Sequence, residues 1–148
     1  MLIALIGESC TGKSTIAAEI TKILQAELFS GKDYLRFAKS ETDAKAAFAA
    51  RLLERALSTS EHVVYVISEP EHLSLLPEKC LRVLVTASLD TIKARFAARM
   101  GGKLPPPVEA MLVKKHGMFD SVSRDLAICS DETEPSQAAA QILRLLNL

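Results

Sequence analysis

The chain has 148 residues, 49% hydrophobic and 24% charged, which is enough for one domain with a full core. Its 18 basic and 18 acidic residues cancel, so no bulk attraction to nucleic acid or to an anionic membrane surface is expected. Aromatic residues make up only 5%, with no Trp, so platforms for stacking single-stranded bases are scarce, and no apolar run is long enough to span a bilayer.

The three cysteines, Cys10, Cys80 and Cys129, are an odd count without paired spacing. That argues for a reducing compartment and against a disulfide framework or a zinc site. The apolar start is too short for a secretory leader and lacks its basic flank. A cytoplasmic protein, monomeric or weakly dimeric, is the expectation.

In chain order, strand and helix signals alternate. Leu2 to Ile6 is a buried strand. The nine residues Gly7-Glu8-Ser9-Cys10-Thr11-Gly12-Lys13-Ser14-Thr15 follow it and match the pattern G-x-x-x-x-G-K-[ST]. A helix is predicted from Lys13 to Gln25, with Ile16, Ile20, Ile23 and Leu24 inward. Leu28 to Ser30 is a short strand closed by Gly31. Ser40 and Asp43 resemble a capping box that opens a long helix, in which Ala44, Phe48, Leu52 and Ala56 recur every four residues.

His62 to Ile67 is β-branched and apolar, a strand covered on both faces. Leu73 to Leu76 is a helical turn stopped by Pro77, and Leu81 to Thr86 is another strand. Ser88 caps a helix that buries Leu89, Ile92 and Phe96 and stops at Gly101. Gly101-Gly102 and Pro105-Pro106-Pro107 bracket a mobile connection. Pro107 suits the first turn of a short helix ending near Gly117. Leu126 to Cys129 is the last strand, and Pro135 opens a C-terminal helix. This β-α-β-α order demands a parallel sheet with helices on both faces, with ligands at the strands' carboxyl ends.

The first motif has a physical reading. A strand ends, a tight loop exposes backbone N–H groups, and a helix N-terminus adds its dipole. Gly7, Ser9, Cys10, Thr11, Gly12, Lys13, Ser14 and Thr15 form a cradle for the phosphates of ATP or GTP. Lys13 reaches the β and γ oxygens, and the Ser14 hydroxyl ligates Mg²⁺. Glu69 closes the third strand and is the candidate carboxylate near the metal or the acceptor, with Glu71 a poorer substitute. Arg95 and Arg99 lie one helical turn apart and lead into residues 101–117, which add Lys103, Lys114 and Lys115. A glycine-hinged segment of this charge reads as a lid that excludes water and delivers an arginine to the γ-phosphate. The alternative is a solvated basic face.

Residues 33–60 are the candidate acceptor-binding segment. Arg36 suits a phosphate or carboxylate there, and Asp33 suits a general base. Both are also consistent with plain surface charges. Asp131 follows the last strand and is a candidate for approach to a nucleobase, with no decisive base-reading residue beside it. His62, His72 and His116 have no metal-ligand spacing and read as structural or exposed.

The phosphate-loop residues, the run V-V-Y-V-I-S-E, and R-V-L-V-T-A-S-L-D-T-I-K-A-R-F-A-A-R-M resemble the P-loop kinases of small molecules. The resemblance is to nucleoside monophosphate kinases (adenylate-, cytidylate- and guanylate-kinase-like) and to shikimate-kinase-like enzymes. It implies a P-loop three-layer sandwich with a five-stranded parallel sheet in order 2-3-1-4-5 and a short lid. It also implies lid arginines, here Arg95 and Arg99, and an acceptor segment between the second and third strands, here containing Arg36. Three departures stand out. Cys10 occupies a position usually held by Gly, which predicts a changed loop geometry. The strand-end acid is Glu69 rather than Asp, and the acceptor region is reduced to little more than one helix.

Two functions follow. One is an Mg²⁺–ATP-dependent phosphotransferase acting on a nucleotide or another small-molecule acceptor. The other is a nucleotide-binding regulatory module without transfer chemistry. The sequence has no Asn/Thr-Lys-x-Asp guanine-reading motif, which disfavours a signalling GTPase.

Overall fold

The computed structural model describes residues 1–148. Five strands, β1 (Leu2–Ile6), β2 (Glu27–Ser30), β3 (Val63–Ile67), β4 (Leu81–Thr86) and β5 (Leu126–Cys129), form one sheet. All pair in parallel, in the order β2-β3-β1-β4-β5. Five helices, α1 (Lys13–Leu24), α2 (Glu41–Leu57), α3 (Leu89–Arg99), α4 (Pro106–Lys115) and α5 (Pro135–Leu145), accompany them. Each parallel pair needs a crossover, and the helices supply it.

β1 and β3 are buried at every position because both faces of the sheet are covered. On one face Leu2, Ala4 and Ile6 pack with Tyr65, Phe48 and Leu52 under α2. On the other, Ile3 and Leu5 meet Ile16 and Ile20 of α1 and Ile142 of α5. All four of Ala44, Phe48, Leu52 and Ala56 are buried, as their spacing predicts. Phe48 meets Phe29, Phe37 and Tyr65 edge-on at centroid distances of 5.2, 5.2 and 5.0 Å.

The caps follow the sequence. Ser40 accepts from the Asp43 amide at 3.1 Å, and Ser88 from the Thr91 amide at 3.2 Å. Glu134 and Gln137 add a reciprocal box at the start of α5. Two details differ from expectation. Ile23 is 61% exposed, because Leu24 packs against the core in the last turn of α1 instead. The segment after β2 is a 3-10 turn, Gly31–Phe37, held by Ser30 and Asp33 in a reciprocal cap and by Tyr65, whose hydroxyl donates to the Gly31 carbonyl at 2.8 Å. No helix is long and apolar enough to cross a membrane.

His72, in the 3-10 turn Pro70–Leu75, is only 2% exposed, and neither ring nitrogen has a hydrogen-bond partner. Its nearest charged atom, Glu71 Oε1, is 3.7 Å from Nε2, too far to bond. A buried polar group without a partner costs about 1–3 kcal/mol. His72→Leu, which keeps the volume and removes the polar atoms, is therefore expected to raise the melting temperature by roughly 3 °C, measured by calorimetry. A lower melting temperature would mean that the ring is satisfied in solution.

Candidate active site

The phosphate loop runs from the end of β1 into α1. Gly7 donates to the Ile67 carbonyl at 3.1 Å, which extends the β1–β3 pairing by one residue. A Cβ on Gly7 would collide with the carbonyl oxygen of Val85 in β4, so only glycine lets the chain pass between its two neighbours. Gly12 then turns the chain into α1 with φ +98°.

None of the seven amides from Ser9 to Thr15 donates to a backbone carbonyl; the next, Ile16, bonds to Gly12. These unspent donors, joined to a helix N-terminus, make an anion-binding concavity. They surround a cavity of about 90 Å³ lined by Ser9, Lys13, Ser14, Thr15, Ser68 and Arg99.

Cys10 sits at φ +66°, so a cysteine here holds a positive φ, the conformation that glycine adopts most readily. Burial offsets the conformational cost, since Cys10 is 4% exposed and packs with Ala87, Ile92 and Leu112. The side chain is thus directed into a small apolar cluster beneath α3 and α4.

Lys13 is 4% exposed, and its Nζ donates to the Glu8 carbonyl at 2.5 Å and to Thr11 Oγ1 at 3.4 Å. Burial lowers its pKa from 10.5 to about 8, and the Arg99 charge pushes the same way against Cys10 and Glu8. The unfolded chain therefore holds this proton up to about 10.5 and the ligand-free fold only to about 8. Between those values the unfolded state binds more protons, so stability rises with pH across that window.

A bound polyphosphate favours charged Lys13 and raises its pKa. Nucleotide affinity is expected to hold below pH 8 and to fall by up to about tenfold per unit above it. Calorimetry in two buffers of different ionisation heat should detect proton uptake on binding near pH 8.5. A flat affinity from pH 7 to 10 would contradict the burial of the charge.

Arg95 and Arg99 both lie on α3. Arg95 Nη1 donates to the Cys10 carbonyl at 3.1 Å and to Ser130 Oγ at 3.0 Å, tying the loop to the turn after β5. The two arginines wall a larger cavity of about 510 Å³ with Gly12, Thr15, Ser130 and Glu134. Arg99 alone of the pair also lines the phosphate bed. Asp131 is not directed at this cavity. Its carboxylate accepts from Thr91 Oγ1 and from the Ser88 amide at the start of α3. The Thr91 bond and then the Ser88 bond lower its pKa. It is a cap for α3, which corrects the expectation of a base contact.

The structure brings Glu69 near the loop but not into the phosphate bed. Ser68 takes that place, because Ile6 and Ile67 are register partners and the residue after each strand end lines the rim. Glu69, one residue on, shares a gap of about 30 Å³ with Glu8, Ser9 and Ser68, and sits 3.9 Å from Lys115 Nζ.

Asp33 and Arg36 are not brought to the bed. Asp33 Oδ2 accepts from the Ser30 amide at 2.8 Å and lies 3.7 Å from Arg36 Nη2. Arg36 lines a separate cavity of about 240 Å³ with Glu27 and Arg51. The 3-10 turn spends Asp33 on its own cap and carries Arg36 with it.

Residues 101–117 include α4, which stands docked. Leu112 fills the cluster beside Cys10, and Lys93 pairs with Glu109 at 3.1 Å. The Glu8 carboxylate meets His116 Nδ1 at 3.0 Å and accepts from the Gly117 amide at 3.2 Å. Glu8 and Ser68 carry no motif signature, so only the folded chain points to them.

The five-stranded sheet and the helices around it have counterparts among solved structures. Shikimate kinase from Acinetobacter baumannii superposes with a TM-score of 0.62 at 15% identity over 98% of this chain and 92% of that one. A gluconokinase from Sinorhizobium meliloti gives 0.62 at 19%, over 99% and 93%. The fold is that of the P-loop small-molecule kinases. YorR protein from Bacillus subtilis, solved with phosphorylated GDP, extends the P-loop set at a TM-score of 0.66, 19% identity, 100% and 96% coverage. No family model matches the sequence, and no curated protein is similar to it. The P-loop kinase likeness is therefore one of architecture.

Proposed function

We propose that this protein is a phosphotransferase that moves the γ-phosphoryl group of ATP or GTP to a small-molecule acceptor. The observation that carries this is the set of seven unspent amides from Ser9 to Thr15 around buried Lys13. Donors left without protein partners in a concave loop suit a polyphosphate and little else.

The roles follow from position. The loop amides and Lys13 hold the β- and γ-phosphates, and Thr15, in the bed and in the larger cavity, is placed for the α-phosphate. The larger cavity between α3 and the turn after β5 takes the nucleoside. Arg99 neutralises charge that develops on the transferring group, and Arg95 fixes the loop against Ser130. The docked α4 keeps water from the far side.

The residues present fit Mg²⁺ of the kind that arrives with a nucleotide. Ser14 and Ser68 offer hydroxyl oxygens in the bed, and no cluster of three acidic, His or Cys side chains forms a cage of its own. Glu69 remains a candidate for a metal-bound water. The ion, held by these hydroxyls and the nucleotide, would supply positive charge against the phosphates.

Titration with ATP and GTP plus Mg²⁺, followed by thermal shift and calorimetry, tests the binding half. Nucleoside diphosphate release with an acceptor panel tests the transfer half. Binding with release supports the kinase reading. Binding without release to any acceptor favours the regulatory module, and no heat with no shift in folded protein overturns both.

A further inference from the structure

The gap between the phosphate loop and α4 differs in character from the bed it adjoins. Ser9 and Ser68 line both, so the gap opens directly onto the place where the γ-phosphate would lie. It holds about 30 Å³, room for one hydroxyl- or ammonium-sized group. Its polar wall is Glu8, whose side chain is 12% exposed, and Glu69, against one cation, Lys115. No arginine lines it. Past Met111 and Met118 the same wall continues into an open basin of about 540 Å³ along α4, whose only charged lining is the exposed Lys114 and Lys115.

Arg36, the residue type that would receive a phosphate or carboxylate by bidentate pairing, lies in a different cavity with Glu27 and Arg51. A doubly charged phosphate brought into the gap would face two carboxylates, one beside Lys115 and the other bonded to His116 and the Gly117 amide.

We propose that the acceptor is an alcohol carrying neither phosphate nor carboxylate, and that it presents its hydroxyl through this gap. The inference rests on the kinase reading above and narrows it to uncharged or cationic acceptors such as nucleosides, polyols or amino alcohols. Glu69 and the Ser68 hydroxyl orient the acceptor hydroxyl, while Glu8 holds the wall in place through His116 and Gly117. The hydroxyl oxygen forms a bond to the γ-phosphorus as the bond to the β–γ bridging oxygen breaks. The nucleoside diphosphate leaves with that electron pair, and the hydroxyl proton passes to water.

The experiment compares kcat/KM for two groups of acceptors with wild-type protein and Mg²⁺–ATP. One group is cytidine, thymidine, glycerol, myo-inositol, ethanolamine and choline. The other is AMP, CMP, GMP, gluconate and shikimate. Nucleotide affinity is measured alongside by calorimetry. The expected result is a best uncharged or cationic acceptor at least 100-fold better than any anionic one. Glu69→Gln is expected to narrow that ratio at least tenfold by improving anionic acceptors. A preferred anionic acceptor overturns this inference and leaves the kinase reading standing. An unchanged ratio in Glu69→Gln overturns the assignment of the gap. Nucleotide binding without transfer to either group, or no nucleotide binding at all, removes the kinase reading and this inference with it.

Discussion

Lys13→Met is expected to lower phosphoryl transfer by about 10³-fold while making the nucleotide-free protein more stable. The loss follows from position. Lys13 is the buried cation among the loop amides, and Arg99, the other cation lining the bed, sits on a separate helix. The gain follows from the cost of keeping an ammonium at 4% exposure. A pKa brought from 10.5 to about 8 represents up to about 3 kcal/mol below pH 8. Two hydrogen bonds, to the Glu8 carbonyl and to Thr11 Oγ1, offset about 1 kcal/mol each. Methionine keeps the apolar stem, and Thr11 still donates to the Glu8 carbonyl at 3.0 Å. The net is a gain of about 1 kcal/mol, or roughly 3 °C in melting temperature. Calorimetric unfolding at pH 7 without nucleotide, paired with a turnover assay, checks both halves. Undiminished turnover would remove Lys13 from the chemistry, and a loss of stability would show that its hydrogen bonds outweigh its burial.

Arg99→Ala and Arg95→Ala should separate, although the two residues lie one turn apart on α3. Arg99 lines both the phosphate bed and the larger cavity, and its charge is felt at Lys13. Its removal is expected to lower kcat by about 10²-fold with little change in nucleotide KM, because its work is on charge that develops during transfer. It should also move the fall of nucleotide affinity to higher pH, since one of the causes depressing Lys13 is gone. Arg95 spends its guanidinium on the Cys10 carbonyl and Ser130. Its removal should loosen the loop and raise nucleotide KM about tenfold, with a smaller fall in kcat. Equal effects of the two variants on kcat and KM would refute the division of labour.

Much of this was legible in the chain itself. The unbroken apolar runs of β1 and β3 announce strands covered on both faces, and the alternation with amphipathic helices forces a parallel sheet. The four-residue recurrence in α2, the serine caps of α2 and α3 and the prolines at the starts of α4 and α5 all act within a few residues, so local pattern finds them. The phosphate loop is likewise local, since its donors, its lysine and its helix N-terminus lie within nine residues.

What failed to show was mostly nonlocal. Cys10 holds a left-handed conformation while packed against Ala87, Ile92 and Leu112, residues far away in the chain. Asp33, Arg36 and Asp131 are charged residues just past strand ends, where ligands bind. Asp131 is turned to Ser88 and Thr91, forty or more residues earlier in the chain, whereas Asp33 and Arg36 are held locally within the 3-10 turn. Ser68 enters the phosphate bed because β3 lies in register beside β1, and Glu8 reaches His116 and Gly117 across more than a hundred residues. The sequence by itself determined the glycine-flanked loop at the helix N-terminus and the alternation of buried strands with helices, because both are written in contiguous residues whose spacing fixes their geometry. Only the tertiary structure decided which charges line the cavity beneath the loop and which line the gap beside α4. Side-chain direction at the rim depends on strand order, register and caps contributed by distant segments.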